Sequence, residues 1–200
     1  MRTLVALIPF LLGSLLLQAQ TLSGIRTRWS DSFVEWEYFA FSTDSTAIQE
    51  ALDNDEPYPE DLAGDMKLRW LNIRDDWSEW DFEFGEFRGT IKLKWKNDPS
   101  QWELRSFDGQ IITMRTAWPG DPTEWRISDN TTTLLLKSRW KNQFDEWLVD
   151  DKDHGIFYLY TLRETDPRDW IIEDKLDPSI STPMRLACVF VAVFNSTPRQ

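Results

Sequence analysis

From about residue 22 onward, apolar and polar residues alternate in short runs, the period-two pattern of strands with one buried face. Tryptophan punctuates the runs. Eleven of the twelve tryptophans fall into one pattern, W-x6-W: Trp29/Trp36, Trp70/Trp77, Trp95/Trp102, Trp118/Trp125, Trp140/Trp147 and Arg163/Trp170, with Arg163 in the first place of the last copy and Trp80 outside the scheme. From the second copy the first positions lie 25, 23, 22 and 23 residues apart, the signature of a repeat architecture.

Four residues before each first position stands an apolar residue: Ile25, Met66, Ile91, Met114, Leu136 and Leu159. Side chains alternate across a strand, so these residues are expected to share a face with the tryptophans. One and three residues before the first position, nine of ten places in the first five copies are basic: Arg26, Arg28, Lys67, Arg69, Lys92, Lys94, Arg115, Lys137 and Arg139, with Ala117 the exception. These fall on the opposite face. Asp98-Pro99, Asp121-Pro122 and Asp166-Pro167 supply turn chemistry inside three copies. Each copy therefore reads as a β-hairpin whose two tryptophans oppose each other beside the turn. In that register Lys94 faces Glu103, Arg28 faces Glu37, Lys92 faces Arg105 and Arg69 faces Ser78.

Asp108-Gly109 predicts a two-residue type I′ turn between hairpins, which sets Trp102 and Trp118 on opposite faces unless a bulge near Arg115 intervenes. A second bulge is expected at Trp80. Residues 42–65, rich in acid, interrupt the period with a short helix near 46–53. Residues 184–194, almost continuously apolar, read as a strand buried on both faces.

About six hairpins, or twelve to thirteen short strands, predict an all-β antiparallel meander. Curling into a barrel or half-barrel covers the apolar face, and a sandwich is the alternative. An outer-membrane barrel fits poorly, because the face away from tryptophan is basic and the strands are short.

Composition adds a compartment and a charge. Arg2, the apolar run Leu4 to Leu17 and Ala19 have the layout of a signal peptide over residues 1–19, leaving a single domain over 20–200 that is secreted, to a bacterial periplasm or cell surface. Without Arg2, 21 Lys and Arg stand against 34 Asp and Glu, a net charge of −13. That balance argues against nucleic acid as a partner, and no transmembrane segment follows the signal. Cys188 is the only cysteine, so packing must replace disulfides.

Signals for chemistry are sparse. His154 is the only histidine and sits in a turn, so neither a zinc site nor a histidine-based triad can be assembled, and no phosphate loop appears. The sequence implies no cofactor, no metal and no enzyme. The basic row is the sharpest feature. Lys67, Arg69, Lys92, Lys94, Arg115, Lys137 and Arg139 are the candidate face for an anionic partner, unless cross-strand salt bridges neutralise them. The leading expectation is a non-catalytic structural or interaction protein, a subunit of an envelope assembly, with another envelope protein or an anionic envelope polymer as partner. The alternative is a carbohydrate- or lipid-binding module that uses the basic face or the barrel interior.

Overall fold

The computed structural model describes residues 21–73 and 76–198; the segment read as a signal peptide lies outside them. Twelve strands follow one another: β1 (Leu22–Thr27), β2 (Glu35–Phe41), β3 (Glu60–Leu68), β4 (Glu79–Phe84), β5 (Phe87–Leu93), β6 (Gln101–Ser106), β7 (Ile111–Trp118), β8 (Asp121–Ser128), β9 (Thr133–Trp140), β10 (Gln143–Asp151), β11 (Gly155–Arg163) and β12 (Asp166–Leu176). Each pairs antiparallel with the next, and β1 pairs with β12, which closes the barrel. Helix α1 (Ser45–Asn54) lies in the acidic segment between β2 and β3, capped by the Asp44 carboxylate on the Thr46 N–H.

The repeat dictates the barrel's inner face. The six residues four before each first position are buried to within 1% of full exclusion. Each lies directly opposite a tryptophan of the preceding hairpin: Trp36↔Met66, Trp80↔Ile91, Trp102↔Met114, Trp125↔Leu136, Trp147↔Leu159 and, across the closure, Ile25↔Trp170. Six indoles and six aliphatic side chains thus alternate around the bore. Every one of these indole N–H groups donates to the carbonyl three residues earlier, at Phe33, Trp77, Pro99, Pro122, Phe144 and Pro167, over 2.8–3.2 Å. A buried indole needs such a partner. The turn supplies it, and in three copies the Asp side chain ahead of that carbonyl fixes the turn by accepting from a Ser or Thr: Asp76 from Ser78, Asp98 from Ser100, Asp121 from Thr123.

The W-x6-W pairs do not share a face, which corrects the expected hairpin register by two residues. The second tryptophan opposes the residue two before the first one: Thr27, Leu68, Leu93, Thr116 and Thr161 face Trp36, Trp80, Trp102, Trp125 and Trp170. In β7–β8 and β11–β12 a register shift, at Thr116/Trp118 and Thr161/Arg163, moves the tip ahead of the Asp-Pro step, so the first position of the copy is left at the hairpin tip. A two-residue shift keeps every side chain on its own face, so the burial of Ile91 and its equivalents survives the error. In the second copy Trp80 is the core tryptophan, and Trp77 takes the place held elsewhere by proline or phenylalanine; β4 runs in unbroken register with both neighbours, without the expected bulge.

The turn at Asp108-Gly109 is also different. Ser106 N–H donates to Gln110 O across three residues, and only Gly109 has positive φ, the geometry of a three-residue loop with a left-handed closing glycine. That extra loop residue restores the parity between β6 and β7, which pair without a shift; the irregularity expected near Arg115 lies instead in the pairing of β7 with β8, between Thr116 and Trp118.

The apolar run near the C-terminus is a helix, not a strand. α2 (Thr182–Ser196) threads the bore, and its residues from Pro183 to Phe194, Arg185 excepted, are buried. A short apolar run is ambiguous between buried strand and buried helix. Pro183 in the first turn favours the helix, and a helix apolar all round belongs in a core. At about 1.5 Å per residue it spans roughly 22 Å. Phe190 and Phe194 lie edge-on to Trp102 at 4.8 and 4.6 Å. At one end Arg185 pairs with the buried Asp174 at 3.2 Å; at the other Trp147 Nε1 reaches Ser196 Oγ at 3.2 Å.

Ile91→Ala and Leu136→Ala should each destabilise the fold by about 2–5 kcal/mol, whereas Trp118→Ala, at an exposed tip, should cost less than about 1 kcal/mol. Urea denaturation followed by circular dichroism measures all three; equal costs would place the two kinds of position on the same face.

Candidate functional site

The inner face packs against α2, so the side chains most open to solvent are those of the outer wall and the barrel rim. Most outward positions are charged, among them Glu37, Asp81, Lys92, Glu103, Arg126 and Asp169, while an apolar row of Leu148, Tyr160, Ile171, Phe39 and Leu62 crosses the wall from β10 to β3. Among the described residues no helix is long and apolar enough to cross a membrane, and no group of three or more His, Cys, Asp or Glu is placed to hold a metal ion. His154 sits in the β11 entry turn with Nδ1 3.0 Å from the Asp151 carboxylate.

Most of the basic row is neutralised where it stands. Arg69 bonds both Glu79 and Asp81, and Lys92 reaches the same Glu79 at 2.7 Å. Lys137 pairs with Glu124 at 3.3 Å, and Arg139 with Glu146 at 2.9 Å and with the Tyr158 hydroxyl at 3.2 Å. Burial works against ionisation of Glu79, but the Lys92 hydrogen bond and the Arg69 and Lys92 charges outweigh it and hold the carboxyl below its usual range. At Glu146 the Tyr158 hydroxyl is the largest cause of a similar depression. The register error also reassigns partners, since Lys92 rather than Lys94 lies opposite Glu103.

These carboxylates have a second task. The exposed first tryptophans fold back along the wall, and Trp29, Trp70 and Trp140 each donate an indole N–H, at 3.3 Å, to Glu35, Glu79 and Glu146. That is the residue immediately before the core tryptophan, acidic in nearly every copy. With Trp95 and Trp118 they form a collar at the hairpin tips, each 41–59% exposed.

Three members of the predicted face have no ion pair among the described residues: Lys67, Lys94 and Arg115. Lys67 lies between Glu35 and Asp81 in adjacent strands. Lys94 and Arg115 have Glu103, and Arg115 also Glu124, as diagonal neighbours in the sheet but form no ion pair with them. They line a cleft of about 300 Å³ on the outer face of β6–β8, together with Arg126, Gln101, Thr113, Ser128, Asn130 and Thr133, and no acidic residue contributes to it. Gln101 pairs with Arg115, and Arg115 with Arg126, in neighbouring strands. The structure therefore brings Lys94 and Arg115 together and leaves Lys67, Arg69, Lys92, Lys137 and Arg139 elsewhere on the wall.

Arg126 was missed by the sequence reading, which followed basic residues only at the positions before the first tryptophan. The signal lay in breaks of the repeat. The residue after the core tryptophan is acidic in the first three copies (Glu37, Asp81, Glu103) and becomes Arg126 in the fourth, while Gln101 replaces the acid that otherwise precedes the core tryptophan. Gln101 and Arg126 meet in this cleft; the last two copies also depart, with Leu148 and Ile171, so it is the charge of Arg126 that sets it apart. Like charges directly opposite each other destabilise a sheet, so the Arg115/Arg126 pair does nothing for the fold.

Comparison with protein-family models, with curated proteins and with solved structures finds no match.

Glu79→Gln should lower stability at neutral pH by about 0.5–1 kcal/mol, the range of partly exposed ion pairs. Because the folded-state pKa of Glu79 is depressed, its contribution is present above the unfolded carboxylate range near pH 4 and is lost as pH falls through the folded value. The difference between wild type and variant should close on acidification. Arg126→Glu, facing Arg115, should leave the melting temperature unchanged or raise it. Thermal melts across the acid range check both, and a constant offset for Glu79→Gln at every pH would contradict the assigned ionisation.

Proposed function

We propose that the chain is a non-catalytic, exported interaction protein that engages an anionic component of the cell envelope through its outer wall at β6–β8. The observation that carries this reading is the cleft of Lys94, Arg115 and Arg126, three cations without an ion pair among the described residues, on a protein that neutralises most of its other wall cations. Such a locally positive patch on an acidic protein favours binding of one sign and repels most other surfaces. Filling of the bore by α2 argues against a ligand held inside the barrel.

A second reading, a carbohydrate-binding module, draws on the collar. Its five indoles are 41–59% exposed, and three are held in orientation by carboxylates; fixed aromatic planes suit stacking ligands.

Co-sedimentation of residues 20–200 with native envelope material separates the two. Lys94→Glu/Arg115→Glu/Arg126→Glu should lose about tenfold or more in binding, and wild-type binding should weaken as added salt shortens the Debye length. Lys67→Glu should bind like wild type. Full retention by the triple variant, with loss in Trp29→Ala/Trp140→Ala instead, would replace the first reading by the second.

A further inference from the structure

We infer that the β6–β8 cleft is a subsite for a linear acidic polysaccharide lying across the strands, and that it contacts at least two successive anionic groups of that chain. The inference rests on the reading that this wall binds an anionic partner, and it specifies the partner's chemistry.

The cations form a row rather than a nest. Lys94 N–H bonds Gln101 O just beyond the end of β5, Gln101 pairs with Arg115 on β7, and Arg115 pairs with Arg126 on β8. Strands in a sheet lie about 4.8 Å apart, so from Lys94 to Arg126 the row extends roughly 14 Å across three strand spacings. A single small anion would satisfy one end of it and leave the other uncompensated. A chain carrying repeated charges would meet both, with the adjacent guanidinium groups each free to offer a forked pair of donors to a carboxylate or sulfate.

Between and beside the cations the lining is neutral but polar. The Gln101 side-chain amide makes no hydrogen bond among the described residues, and Asn130 and Thr133 complete the edge. Amides and hydroxyls both donate and accept. They match sugar hydroxyls, which do the same, whereas a polyphosphate chain offers acceptors alone. The indole of Trp95, which follows Lys94 directly in the chain, is 58% exposed and offers an apolar face. Sugar rings have apolar faces; inorganic polyanions have none.

Isothermal titration of residues 20–200 at low ionic strength provides the test, using galacturonate as monomer and tetramer, a sulfated tetrasaccharide, an uncharged tetrasaccharide and tripolyphosphate. One of the acidic tetramers should bind at least about tenfold more tightly than monomeric galacturonate, because its second charged group engages the other end of the row at high effective concentration. Arg126→Gln and Lys94→Gln should each remove most of that gain while leaving the circular dichroism spectrum and melting temperature unchanged. Gln101→Ala should weaken the tetramer and spare tripolyphosphate.

Equal affinity for monomer and tetramer overturns the inference in favour of a single-anion pocket. Tighter binding of tripolyphosphate than of either acidic tetramer overturns the assignment to a saccharide, and binding of none of the probes overturns it outright. If envelope binding still depends on Lys94, Arg115 and Arg126 in any of these outcomes, the interaction role stands and only its chemistry falls. If envelope binding is also insensitive to those residues, the role falls with it.

Discussion

Each core tryptophan must satisfy two demands at once: its rings have to leave water, and its N–H has to find an acceptor before they can. Six copies of the repeat meet both with one device, a turn whose carbonyl lies three residues before the tryptophan and is aimed back at the indole. Burying an aromatic of this size is worth on the order of several kcal/mol by area, and an unpartnered N–H would cost about 1–3 kcal/mol of that. The turn, the strand register and the barrel closure follow from this pairing. Once Trp170 is seated it lies opposite Ile25, and the last hairpin is joined to the first.

A ring of six indoles and six aliphatics leaves a bore too wide for the wall's own side chains to fill. The chain supplies the filling from its C-terminal part, as a helix with no polar stripe. Interiors are packed to crystal-like density, so wall and plug depend on each other: without α2 the ring would face a void, and without the ring α2 would be an apolar helix in water. The ends of the helix carry the polar contacts that position it, Arg185 on Asp174 and Ser196 beside Trp147. In Cys188, within that helix, burial pushes the thiol pKa upward, so this cysteine behaves as a small apolar side chain.

The amount of fold legible in the sequence follows from which signals are periodic. Face assignment is periodic, so Ile25, Met66, Ile91, Met114, Leu136 and Leu159 could be placed on the buried face, and the antiparallel meander follows from hairpin count and one-sided burial; its closure through β1 and β12, as against a half-barrel or sandwich, was not legible. Register depends on where the turn sits, and W-x6-W suggested a tip two residues too late because in β7–β8 and β11–β12 a register shift moves the tip ahead of the Asp-Pro step. The helical character of residues 184–194 was not legible, since an all-apolar segment has no period to read. Of the candidate site, Lys94 and Arg115 were legible from their repeat positions. Arg126 was not, because it is a departure from the repeat, and departures stand out only when every position after the tryptophan is aligned. The same alignment explains the rest of the basic row: where the repeat keeps its acids, Arg69, Lys92, Lys137 and Arg139 are structural partners of Glu79, Glu124 and Glu146 and of the indoles that lie on two of them. Where it drops them, between Gln101 and Arg126, cations stand without an ion pair among the described residues.

That α2 and the tryptophan ring form one cooperative core is the claim on which everything else rests, and Cys188, the only cysteine in the chain, reports on it directly. Thiol labelling can be followed across a urea series alongside the tryptophan emission of the same samples. The expected result is that Cys188 becomes reactive only through global unfolding, with the free energy of its exposure equal to that of the whole barrel and falling with the same urea dependence. Labelling of Cys188 while the tryptophan emission is still native would contradict it, because the helix would then leave the bore without disturbing the ring that is supposed to hold it.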